Sequence, residues 1–287
     1  MKLTNYAWIV TATLSLTLST AWGAEQADNG KTADGQAASV KEVRFGFCPG
    51  PYSKMVADFI EPELKKQGYK VTYVEFTDYV QPDAALDGGD IDANLMQHQT
   101  YFDSIVKTQG YNLSSIINVP TLGLGVFSDK YKTFEEVPDG AKVGIPTDAV
   151  NLARALRIAR DLGYITLKAD KDEQKASIAD IDENPKHLEF IPLEAAQISR
   201  SLDSIALGFV PGNYAIAANL DYAKALGVEK VSENIKNVVA VNSKDKDTLG
   251  KVLFDIVRSK QFIAALEANH YYDSFTRPAW WSEVKEK

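Results

Sequence analysis

Cysteine is almost missing: 287 residues contain only Cys48, so no internal disulfide and no cysteine-rich zinc site can form. Histidine is scarce as well, with His98, His187 and His270 in three distant segments. Metal ligation would require all three to converge, and neither a metal nor a cofactor is expected. No G-x-S-x-G nucleophile sequence occurs, and Gly123-Leu124-Gly125 lacks the third glycine and the Lys-Ser/Thr of a phosphate loop. With no base placed beside a nucleophile, the chain reads as a binder and not an enzyme. No Lys/Arg cluster offsets the formal net charge of −8, which disfavours nucleic acid and anionic lipid as partners. Beyond Ala24, nothing approaches the roughly 18 apolar residues of a membrane span.

What is present begins with an address. Lys2 precedes an apolar and small-residue stretch from Ala7 to Leu18, and Ala21 and Gly23 supply the small residues of a cleavage site before Ala24. Residues 1–23 are therefore expected to be a removed secretory signal. Residues 24–40 are rich in Ala, Gly, Gln and Asp and lack aromatics, the composition of a flexible leader. No cysteine lies near the cleavage point, so no lipid anchor is expected. Cys48, in an apolar run before Pro49-Gly50-Pro51, reads as a buried, inert thiol.

From Val43 an α/β rhythm sets in. Strands are predicted over Val43–Phe47, Lys70–Phe76 and Ile91–Leu95, with a helix from about Ser53 to Gln67 and another ending at Gly88-Gly89. A second unit starts near Asp129, with strands at Ala141–Ile145, Leu188–Pro192 and Ile205–Val210 and helices at Asn151–Leu162 and Glu194–Leu202. Val238–Asn242 reads as one more strand, and Thr248–Asn269 as a closing helix. The most economical arrangement is two α/β lobes with parallel or mixed sheets joined by two crossovers: residues 41–128 with 238–287, and residues 129–237.

Ligands on such sheets sit beyond the carboxyl ends of the strands, where the loops carry Tyr52, Tyr79 and His98. His98 and Tyr101, three apart, fall on one side of a turn; local capping by His98 is the alternative. In Pro146–Arg154 a strand ends and a helix begins with Asn151 and Arg154 in its first turns. A cation is disfavoured at a helix N-terminus, so an arginine beside free backbone N–H groups suits a carboxylate; an ordinary surface ion pair is the alternative. Asn213, after Gly212 at another strand end, offers both donors and acceptors, or simply caps the helix that follows.

The segments PGPYSKMV (49–56), EFTDYVQPDAALDGGDIDANLMQHQTYFD (75–103), IPTDAVNLARAL (145–156), DIDENPKHLEFIPLEAAQISRSLD (180–203) and GNYAIAANLD (212–221) together resemble the NlpA lipoprotein family. Its best-understood members are methionine-binding proteins of ABC importers. The resemblance implies a bilobed periplasmic-binding fold of type II and an amino-acid ligand, methionine or a close analogue, in the interlobe cleft. A different amino acid or a dipeptide is the alternative. The partner implied is an inner-membrane ABC permease. Tyr52, Tyr79, His98 and Tyr101 would wall the ligand side chain, Arg154 would bind its carboxylate, and Asn151 and Asn213 would be polar partners. The chain departs from the family's pattern in lacking a lipobox cysteine, which implies a protein diffusing freely in a periplasm; a monomer is the default expectation. It also carries Leu95-Met96 for a phenylalanine pair, Tyr52 for a histidine, and Pro211 where an asparagine is usual.

Overall fold

Phe45, Gly46 and Phe47 are all buried at the end of β1 (Lys41–Phe47), as in a parallel strand covered by helices on both faces. The computed structural model describes residues 41–169 and 172–286; the expected signal (1–23) and leader (24–40) lie outside the described residues. After β1 the chain enters α1 (Tyr52–Met55), a π turn at Val56–Ile60 and α2 (Glu61–Lys66). Pro62 has no N–H to donate, and the ladder slips by one residue just ahead of it. Then come β2 (Tyr69–Glu75), α3 (Gln81–Gly88), β3 (Ala93–His98), α4 (Gln99–Gln109) and β4 (Leu113–Asn118). Gly89, at φ 80°, takes the left-handed conformation that ends α3.

The chain then crosses to β5 (Gly125–Phe127), β6 (Lys142–Pro146), α5 (Ala149–Asp161), β7 (Glu189–Leu193), α6 (Ala195–Ile198), β8 (Leu207–Val210), α7 (Gly212–Ala217) and β9 (Gly227–Val228). It returns through β10 (Asn237–Asn242) and finishes with α8 (Lys251–Val257), α9 (Lys260–Glu267) and α10 (Trp280–Lys285). The sheets share one plan. Their orders are β2-β1-β3-β10-β4 and β7-β6-β8-β5-β9, with parallel pairing among the first three strands of each and an antiparallel fourth. That fourth strand is always the first one laid down after a crossing, β5 on the way out and β10 on the way back.

The two crossing segments are bonded to each other. Glu229 N donates to Leu124 O at 2.9 Å, Val119 N to Asn237 O at 2.8 Å, and Asn237 N to Thr121 Oγ1 at 2.7 Å. This double strap is the floor between the lobes. The first core packs Phe45, Met55, Ile60 and Leu95 against Leu253, Phe262 and Leu266 of the late helices. The second gathers Val143, Ile145, Leu156 and Phe209.

Several sequence expectations shift. β3 runs to His98 instead of ending at Leu95, because Val238 and Asn237 of β10 pair with Gln97 and His98; two buried polar residues had looked like loop. Its start moves from Ile91 to Ala93, since Asp92 turns aside to hold Arg44 through Oδ1 at 2.9 Å and Oδ2 at 3.0 Å. The closing helix breaks at Arg258-Ser259, where Ser259 Oγ caps α9 by accepting from Phe262 N. The helix expected over Glu194–Leu202 is α6 followed by a 3-10 turn at Ser199–Ser201. Residues 125–127, counted with the first unit, pair in the second sheet.

A Cβ on Gly212 would sit 2.5 Å from Leu122 O and 3.0 Å from Gly123 O, backbone on both sides of the contact. Gly212→Ala is expected to lower unfolding free energy by about 1–3 kcal/mol in urea denaturation. An unchanged midpoint would mean that the strap yields to α7.

Candidate functional site

Strand ends from both sheets meet above the strap. Between them lies a small cavity lined from both lobes. Tyr52 follows β1, Tyr79 follows β2, and His98 and Tyr101 sit at the β3–α4 junction; all four line it. From the other lobe come Asn151 and Arg154 in the first turns of α5, and Asn213 at the start of α7. The structure thus brings all seven sequence-selected residues to one cavity.

Their hydrogen bonds fix how each presents itself. Asp148 caps α5, accepting at Oδ1 from Asn151 N at 2.9 Å and from Asn151 Nδ2 at 3.1 Å. The amide NH2 of Asn151 is thereby turned toward Asp148, and its Oδ1 faces the cavity. That oxygen accepts from His98 Nε2 at 3.0 Å and from Arg154 Nη1 at 3.2 Å. Asn151 is a junction with its polar atoms already engaged. His98 caps α4 through Nδ1, which accepts from Tyr101 N at 3.1 Å. The proton therefore resides on Nε2, and both roles considered for His98, cap and cavity wall, are fulfilled at once. Burial, with the Arg154 charge adding to it, pushes the His98 pKa down to about 3. Across the lobes, Tyr79 OH donates to Asn213 Oδ1 at 2.6 Å, and Asn213 Nδ2 donates to Pro49 O at 3.0 Å.

Arg154 is not alone. Its Nε donates to Glu229 Oε1 at 2.8 Å and its Nη2 to Glu229 Oε2 at 2.5 Å, and both side chains are buried. Burial works against ionisation of Glu229, but the Arg154 charge and hydrogen bonds outweigh it and hold the carboxyl below its ordinary range. Burial likewise opposes the guanidinium charge, which Glu229 more than restores. Leu124 N adds a third hydrogen bond to the carboxylate at 3.1 Å. A guanidinium has five N–H groups; Nε–H, one on Nη2 and one on Nη1 are spent on Glu229 and Asn151. The remaining one on each terminal nitrogen finds no acceptor among the described residues. A carboxylate, which only accepts, can take a hydrogen bond from each.

Glu229 carried no sequence signal. It lies in a short polar segment that reads as a loop, and only the paired crossings bring it under α5. Gln97, Thr121, Leu122 and Asn237 also line the cavity; Gln97 stood beside His98 in the sequence, while the others come from the strap. Cys48 is buried, as expected, and its thiol donates to Asp78 O at 3.1 Å. Among the described residues, no cluster of His, Cys, Asp and Glu suited to a metal ion occurs, and no helix is long and apolar enough to cross a membrane.

Two α/β lobes joined by a double strap, with a polar cavity centred on one arginine between them, define a bilobed solute-binding protein of the periplasmic-binding type. The chain belongs to the NlpA lipoprotein family, whose model matches residues 43–280. It is 35% identical over 236 residues to the D-methionine-binding lipoprotein MetQ of Escherichia coli K12, covering 81% of this chain and 83% of that protein. A nutrient binding protein from Burkholderia cenocepacia bound to methionine superimposes with a TM-score of 0.76 at 37% identity, over 82% of this chain and 99% of that one. The crystal structure of the methionine binding protein MetQ gives 0.76 at 32% identity, over 82% and 97%.

Removing one partner of a buried ion pair strands the other charge. Glu229→Ala is expected to cost about 3–5 kcal/mol of unfolding free energy, read by chemical denaturation; a loss within the scatter of surface substitutions would show that water reaches the guanidinium. His98 gives a pH test. Its folded-state pKa lies below the value of about 6.5 that it has when unfolded, so the stability tied to the neutral ring is present above pH 6.5 and is lost as pH falls toward 3. Asp83, raised by burial to about 6, acts in the opposite sense, gaining stability on acidification. The difference between wild type and His98→Asn, which keeps a good cap, isolates the histidine. The thermal midpoint of the variant should fall less steeply between pH 7 and 5.

Proposed function

We propose that this protein is the extracytoplasmic receptor of an ABC importer and binds methionine or a close analogue between its lobes. The observation that carries the reading is buried Arg154, which lines the cavity between the lobes and keeps one unspent N–H on each terminal nitrogen. The ligand carboxylate docks on those N–H groups. Tyr52, Tyr79, His98 and Tyr101 wall the side chain, and Asn213 closes over it from α7. The relatives' names support methionine as the ligand. Closure follows because only the closed form makes both lobes' contacts at once, and a permease receives the ligand unaltered. We further propose that it acts as a monomer in a periplasm without a lipid anchor; the buried position of its one cysteine, just after β1, supports the last point.

A second reading, a different amino acid or a dipeptide, is favoured by Pro211. It lines the cavity where the family usually has an asparagine, and it offers neither an N–H nor a side-chain amide. Mass spectrometry of whatever co-purifies with gently isolated protein separates the two ligands.

Arg154→Lys keeps a charge for Glu229 but loses the fork. Calorimetric titration with L- and D-methionine should show affinity weakened by about 10- to 150-fold. Wild-type affinity in this variant would remove Arg154 from the carboxylate site.

A further inference from the structure

Behind the first-lobe wall, Asp83 of α3 is completely buried. Its Oδ1 accepts from Asn94 Nδ2 at 2.9 Å and from Gln97 Nε2 at 2.5 Å. No cation among the described residues pairs with it, and its Oδ2 has no hydrogen-bond partner there. A buried carboxylate held only by neutral amides is an expensive arrangement for a core. No arginine among the described residues balances it, and the charge of Arg154 is already matched by Glu229.

The carboxylate also dictates how its neighbours face. Carboxylate oxygens only accept, so both amides must turn their NH2 groups toward Asp83 and point their carbonyl oxygens elsewhere. Gln97 and Asn94 differ in what lies on that other side. Gln97 lines the cavity, 3% exposed, and its Oε1 receives no hydrogen bond from any described residue. Asn94 does not reach the cavity. Beside the cavity the second lobe therefore has an arginine with N–H groups to spare, and the first lobe has a buried, unpaired amide oxygen whose NH2 is held by a carboxylate.

Resting on the amino-acid reading above, we infer that Gln97 Oε1 accepts a hydrogen bond from the ligand's α-ammonium, with Asp83 as the positioning residue that fixes the amide and supplies the counter-charge. The site then selects for a free α-amino group and not merely for a carboxylate. An ammonium bound at Gln97 draws its compensation from Asp83 through the polarised amide, while the carboxylate is held across the cleft by Arg154.

The test is calorimetry on the mature protein with methionine and with 4-(methylthio)butanoate, which has the same skeleton with hydrogen in place of the amino group. Wild type should prefer methionine. Gln97→Met, close in volume and with no acceptor oxygen, should weaken methionine by about 10-fold or more while changing the des-amino acid less than about 2-fold. Asp83→Asn, which lets the Gln97 amide turn over, should show the same selective loss even if Gln97→Met fails to fold. Parallel loss of both ligands in either folded variant, or unchanged methionine affinity, overturns the assignment. If wild type binds no methionine, the methionine reading fails separately, and the same pair of measurements is made with the co-purifying amino acid and its des-amino counterpart. A wild type that binds no amino acid overturns both.

Discussion

A full positive charge stands inside the cleft because Glu229 stands beside it. Without that carboxylate a guanidinium as buried as Arg154 would carry most of its desolvation penalty uncompensated, and α5 could not keep an arginine in its first turns, where the helix dipole already disfavours a cation. The bidentate pair also settles geometry. By taking Nε and one N–H of Nη2, Glu229 leaves the other N–H of Nη2 and the whole of Nη1 for further partners.

Glu229 belongs to the strap, not to either sheet, and its backbone is bonded to the other crossing at Leu124. The arginine of one lobe is thus fixed to the strap that joins the two lobes. The other bonds across the cleft, among them His98 to Asn151, Tyr79 to Asn213, Asn213 to Pro49 and Tyr214 to Thr77, tie ends of elements, and the Tyr79 ring lies against Tyr214. Each lobe keeps its own sheet and its own core, which is the physical requirement for a site that opens and shuts.

Much of this was legible beforehand because it was local. The helix-start arginine was visible as a charge in the wrong place along a dipole, and the strand-helix alternation gave the parallel portions of both sheets. Boundaries failed where polar residues sat in buried strand, as at Gln97-His98, since alternation arguments expect polar residues to face water. The break at Ser259 was missed because an apolar helical pattern continued on both sides of it.

The sequence by itself determined the alternation of strands and helices and drew attention to residues near the strand ends, because spacing and strand direction are local; the roles given to those residues came from the family resemblance. Only the tertiary structure decided what those residues are to one another. Glu229 finds Arg154 across 75 residues, and Asp83 turns the amide of Gln97 from a neighbouring helix. Charge compensation acts through space between segments that the chain's order keeps apart, and no local pattern records it.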